Sequence, residues 1–370
     1  MINNQEFIKM NRDFHETLQK LLSRKNKARC MYPCCGNKSV KSHTISKQSS
    51  LLAISEEGKL ITPKSKRNDV ESIKEIRFEY IGINEATTFK GFCEEHEKVF
   101  FDIDKRGIQT LRDVFSQIYR SACKEMFIYN AFMKSEEKAS GKCFFYNFDW
   151  EERKEINTGK VIDMFYDLLQ DFPEADKKLN IGRNSFIFSP FSEVSDVNLE
   201  VLVKKVDFHC PVVLQNKLTL KLDDSVFDSF FIVISEGQET TIIAISHPSH
   251  MNEIHNRLLR NIDALNFIES IMMNDGDWFI SPSVVTSWSD VKKELIEQDY
   301  RFINERRLFD EYDISLFDEV RRVLCQSLDS ECRDHELKKI NSLPTRQDFE
   351  AREYALNQNM VFDISRKFNT

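Results

Sequence analysis

At 370 residues and 43.6 kDa, with 41% hydrophobic side chains, the chain is long enough for two domains that bury full cores without staples. No segment approaches the roughly 20 apolar residues that a membrane span requires. The opening MINNQEFIKMNRDFHETLQKLL carries acids among its apolar residues, unlike a secretion signal, so a cytoplasmic protein with no membrane partner is expected.

The net charge of −8 hides an asymmetry, because residues 1–100 hold 18 Lys and Arg against 13 Asp and Glu, whereas the remainder holds 34 against 47. The excess is sharpest from Lys20 to Val70, where 12 basic residues face only Glu56, Glu57 and Asp69. Such a stretch is either a solvated face or the footprint of a phosphate-binding surface. Ten Gly and eight Pro are few, and thirty Phe are many, which points to helices and aromatic packing. Nine cysteines, four of them in one region, suit reduced thiols and a metal better than a disulfide framework.

In chain order, Glu6 to Arg29 reads as an amphipathic helix with Phe7, Met10, Phe14, Leu18, Leu21 and Leu22 at three- and four-residue steps and a basic last turn. A tight turn, Cys30-Met-Tyr-Pro-Cys34-Cys35-Gly36, precedes a strand over 38–46 and a short helix over 50–57 that Gly58 closes. Brief strands are expected at 59–63 and 73–83, then a turn, then Cys93-Glu-Glu-His96 at the start of a helix. Beyond Asp104 the pattern becomes a long helix over 107–138 and another over 149–172. Runs at 185–189, 199–203, 218–222, 230–234 and 241–245 read as strands of a mostly antiparallel sheet. A helix over 252–273, a final strand at Trp278 and helices over 289–297 and 315–328 follow. The expected fold is α+β, with a zinc-binding domain over 1–104 and a larger helix-rich domain with the sheet over 105–370, the latter offering a surface for a protein partner or a second copy.

Tetrahedral Zn²⁺ is assembled most simply from two short-range clips that the fold brings together. The first clip is Cys30 with Cys34 or Cys35, and the second is Cys93 with His96. Gly36 favours Cys35 by permitting a tight turn, and Cys34 stays open. A knuckle, a hairpin and a helix that begins at the second clip describe a treble clef.

Over residues 29–104 the order of Cys30, Cys35, Ser42-His43-Thr44-Ile45 and Cys93-Glu-Glu-His96-Glu97 resembles the HNH, or ββα-metal, endonucleases. The resemblance implies a metal-dependent nuclease that hydrolyses phosphodiester bonds, with DNA favoured over RNA, and by analogy a role in defence against foreign DNA. It implies that His43 is the general base, a role that suits an imidazole titrating near neutral pH. It also implies that Glu97 is the ligand of a catalytic Mg²⁺ or Mn²⁺. The family usually carries His or Asn at that helix position, a loop Asn before the second clip, and a second ligand beside the base. Here those places hold Glu97, the more distant Asn84, and Ser42 and Thr44. The rival expectation is a non-catalytic zinc module that docks nucleic acid or a protein. No phosphate-cradling loop, nucleophile elbow or dinucleotide fingerprint occurs in the chain.

Overall fold

The computed structural model describes residues 4–23, 25–67, 74–140, 150–179, 186–188, 199–222, 225–274, 276–302, 312–345 and 362–363. The chain forms two compact units, Met1–Lys47 with Thr87–Leu179, and Gln48–Ala86 with Asn180–Thr370. This division differs from a cut near Asp104 for two reasons. The long helix Leu111–Ser140 packs on the helices Asn4–Leu22 and Trp150–Asp171, which keeps it with the cysteine clips. The strands Lys59–Arg67 and Lys74–Gly82 instead form a hairpin that enters the large sheet through Ile61, opposite Ile280.

In the first unit the opening helix ends at Leu22, well before Arg29. Ser23 Oγ donates to the Lys20 carbonyl at 2.8 Å and Asn26 Nδ2 to the Leu21 carbonyl at 2.5 Å, so side chains take carbonyls that further turns would have used. Residues 25–29 therefore lie beyond the helix, and Arg29 faces Lys38 in an isolated antiparallel bridge. The expected strand over 38–46 shrinks to Ser42–His43, paired with Thr88–Phe89. Past His43 the hydroxyls intervene: Thr44 Oγ1 donates to the Thr87 carbonyl at 2.8 Å, and Ser46 Oγ to that of Asp104 at 3.0 Å. After the second clip, a short helix Glu94–Glu97 and a single tight turn lead into the helix Phe101–Arg106.

Leu111–Ser140 is a core helix, with Val114, Phe115, Ile118, Tyr119 and Ala122 buried. Its start is fixed by Asp113, whose carboxylate accepts from the Gln109 and Thr110 amides and from both terminal nitrogens of Arg106. One turn on, Gln117 Nε2 donates to the Thr44 carbonyl at 3.0 Å, which ties this helix to the segment that follows His43.

The second unit is built on a nine-stranded sheet. Its order is 74–82, 59–67, 277–280, 212–222, 225–236, 239–246, 200–206 and 186–188, all antiparallel, with Phe362–Asp363 running parallel to Leu220 and Lys221. The Trp278 strand is interior rather than final, between Ile61 and Val212–Gln215. The single helix expected over 252–273 is two, Pro248–Asn256 and Asn261–Met272, because Asp263 accepts from the Arg260 amide and starts the second one afresh. Every residue from Ala264 to Met272 is buried. Trp278 Nε1 donates to the Met272 carbonyl at 2.9 Å, and the Phe231 and Phe267 rings meet edge to face. Helices at Pro282–Ser287 and Ser330–Asn341 add to those expected.

Candidate metal centre

The first clip is shaped by its own backbone. Cys30 N donates to the Asn37 carbonyl at 2.8 Å and Cys35 N to that of Tyr32 at 3.1 Å, which closes a compact turn. The residue that takes the left-handed conformation is Cys34, at φ 60°, and not Gly36. That geometry leaves Cys34 exposed and turns Cys35 inward, so the sulfur that joins the cluster is that of Cys35. Met31 N to the Gly91 carbonyl at 2.8 Å and Val40 N to the Phe92 carbonyl at 2.7 Å seat the first clip on the segment that carries the second. A Cβ at Gly91 would stand 2.4 Å from the Phe89 ring, so a larger residue there would have to displace that ring.

The sulfurs of Cys30, Cys35 and Cys93 and one ring nitrogen of His96 all lie within 4.8 Å of one another. His96 Nδ1 is 3.4 Å from Cys30 Sγ and 3.3 Å from Cys93 Sγ, and Cys35 Sγ is 4.0 Å from Cys93 Sγ. Three soft sulfurs and an imidazole converging on one point can hold a metal ion. Among the described residues no other group of three or more His, Cys, Asp or Glu side chains comes together in this way.

Electrostatics separates the thiols. Cys93 precedes the Glu94–Glu97 helix, and the amides of His96 and Glu95 hold its thiol down at about 6. Burial pushes Cys30 up to about 11, although the Cys93 amide also donates toward its sulfur at 3.3 Å. The amides at the helix start thus favour the thiolate form at Cys93. Around it, Asn37 Nδ2 lies 4.0 Å from Cys93 Sγ, and the Tyr32 ring stacks on His96 with centroids 3.9 Å apart and planes 9° from parallel. Tyr32 is itself held by Gln170 Nε2 at 3.1 Å and by the edge of Tyr166. Spacing alone could not have singled out these supports, since Tyr32 is merely inside the clip and Gln170 lies 138 residues away.

His43 is half-buried in the Ser42–His43 strand, opposite Thr88. Ser42, wholly buried, projects to the other face by the alternation of strand side chains, and its hydroxyl accepts from the Phe92 amide at 3.1 Å. Glu97 follows His96 directly. Burial raises its carboxyl, against a hydrogen bond from Ser42 and the nearby charge of Arg120. Glu97 Oε1 is buried and has no hydrogen-bond partner among the described residues. Arg120, fully buried, donates to Asp104 at 2.8 Å and lies 5.0 Å above the Phe100 ring. Nothing in the sequence pattern marked it.

No protein-family model, curated protein or solved structure matches this chain.

Proposed function

We propose that the cluster is a structural Zn²⁺ site and that the unit around it is a ββα-metal nuclease module that hydrolyses phosphodiester bonds of nucleic acid. Zinc suits the donor set, since Zn–S near 2.3 Å and Zn–N near 2.05 Å in a tetrahedron give ligand separations of about 3.5–3.8 Å. The sulfur and nitrogen pairs at 3.3, 3.4 and 4.0 Å bracket that range. Cys30, Cys35, Cys93 and His96 are the ligands in this reading, and the ion fixes the strand and the helix that leave it.

The observation that carries the nuclease reading is the proximity of Ser42 to Glu97, whose buried Oε1 has no hydrogen-bond partner among the described residues. It joins the strand that bears His43 to the first helical turn after the second clip. In the ββα-metal arrangement the catalytic cation is held between these two places. Here Glu97 Oε1 and the Ser42 hydroxyl are the groups that would hold Mg²⁺ or Mn²⁺, both oxygen donors suited to a hard cation. Such an ion, when bound, polarises the phosphodiester and stabilises the leaving oxygen. His43, half-buried in the same strand but on the face opposite Ser42, is the base in this reading, which requires the attacking water and the cation to meet at the edge of the strand.

The test is plasmid nicking in Mg²⁺ or Mn²⁺. His43→Ala is expected to abolish nicking, and Glu97→Gln to lower it at least about a hundredfold, with one zinc per chain and the fold retained in both. Nicking that survives His43→Ala would remove the assigned base. Nucleic-acid binding with no cleavage in either cation would favour the zinc module as a binding unit alone.

A further inference from the structure

Beside the metal centre lies an open groove of about 580 Å³ whose wall joins the two clips: Asn37, Lys38 and Lys41 on one side, Lys90, Glu94 and Glu95 on the other. Lys38 is exposed and faces Arg29, also exposed, in the antiparallel bridge at its edge. Like charges directly opposite in a strand pair destabilise it, and among the described residues Arg29, Lys38 and Lys90 have no carboxylate in ion-pair range. Of the two acids in the wall, Glu95 is engaged by Lys98 at 3.0 Å. Among the described residues Lys38 and Lys90, with Arg29 at the edge, therefore outnumber Glu94, the remaining acid of the wall, against the acidic balance of the rest of the chain.

We infer that this groove binds the sugar-phosphate backbone of a nucleic-acid strand, with Arg29, Lys38 and Lys90 each contacting a phosphate and little dependence on base sequence. The inference deepens the nuclease reading and rests on it for the identity of the polyanion. A cation that touches phosphate releases a condensed counterion, and each such contact contributes about 0.9 to the slope of log K against log salt for duplex DNA. Lys41 completes the wall, and the metal centre holds the two lysine-bearing segments at fixed separation.

The experiment uses the full zinc-loaded chain, a duplex DNA oligonucleotide and an RNA duplex of the same sequence, and fluorescence anisotropy over a range of salt without Mg²⁺. Arg29→Ala, Lys38→Ala and Lys90→Ala together are expected to weaken binding on the order of 10- to 100-fold. They should flatten the salt slope by roughly 2–3, equally for unrelated sequences. The DNA and RNA arms show which backbone the groove prefers, and equal loss in both still supports it. Unchanged affinity and slope would overturn the inference. So would loss of zinc with DNA binding intact, which would reassign the lysines to balancing the thiolates, or tight binding of an acidic peptide with none of either nucleic acid. The two readings fail separately: if the triple variant loses binding while the wild type never nicks, the groove stands without the nuclease. If nicking requires His43 but the triple variant binds as wild type, the nuclease stands without the groove.

Discussion

The phenol ring of Tyr32 lies flat on the imidazole of His96, 3.9 Å away and 9° from parallel, so a residue inside the first clip orients the histidine of the second. Side chains that fix the orientation of a metal ligand commonly contribute 10- to 100-fold to metal affinity. Tyr32→Ala is expected to weaken zinc binding by about that factor in a chelator competition, while Tyr32→Phe, which keeps the stacked ring, should cost far less. Equal affinities for the two variants would show that the stack does not hold His96.

The adjacent thiols Cys34 and Cys35 should behave as opposites. Cys35 turns into the cluster and Cys34 stands exposed in the left-handed conformation. Metal analysis should find one zinc in Cys34→Ser and a large loss in Cys35→Ser, with a Co²⁺-substituted Cys34→Ser chain keeping the thiolate-to-metal absorption of the parent. A metal-free Cys34→Ser chain would reverse the assignment.

Burial lowers the Lys124 ammonium from 10.5 to about 8. The unfolded chain holds that proton more tightly than the folded one between those values, so stability should rise with pH from about 8 to 10.5. Below about 8 the full penalty applies, roughly 3 kcal/mol. Lys124→Met is expected to raise Tm at pH 7 and to flatten the rise on going to pH 10. Parallel pH profiles in thermal melts of the two proteins would count against it.

In the second unit Arg321, fully buried, pairs with Glu269 and Glu336 and donates to Asn266 Oδ1 at 2.8 Å. Glu269 also accepts from the Leu316 and Phe317 amides at 2.8 and 3.1 Å. Burial raises the Glu269 carboxyl and Arg321 opposes the shift. Arg321→Met removes the guanidinium shared by two buried carboxylates, leaving Glu269 its two amides and Glu336 the Lys339 ammonium at 3.5 Å, and is expected to cost roughly 3–5 kcal/mol in urea unfolding. Adding Glu269→Gln should recover part of that loss. A cost below about 1 kcal/mol for the single variant would mean that the carboxylates protonate or rehydrate freely.

Residue type and short-range spacing determined much of this protein. The period of Leu111, Phe115, Ile118 and Ala122 marked a core helix, and the apolar runs at 230–234 and 241–245 marked sheet strands, because burial of one face is written into the sequence at the element's own period. The clips were legible for the same reason: Cys30, Cys35, Cys93 and His96 sit at separations that a turn and a helix start can close. Only the tertiary structure decided which of two adjacent cysteines turns inward, since that depends on a single φ at Cys34. It also decided that residues 48–86 leave the unit of the clips for the sheet, which required Ile280, more than two hundred residues away, as a partner for Ile61. And it brought Glu97 to Ser42 and stacked Tyr32 on His96. These are contacts between elements, set by packing that no local pattern encodes.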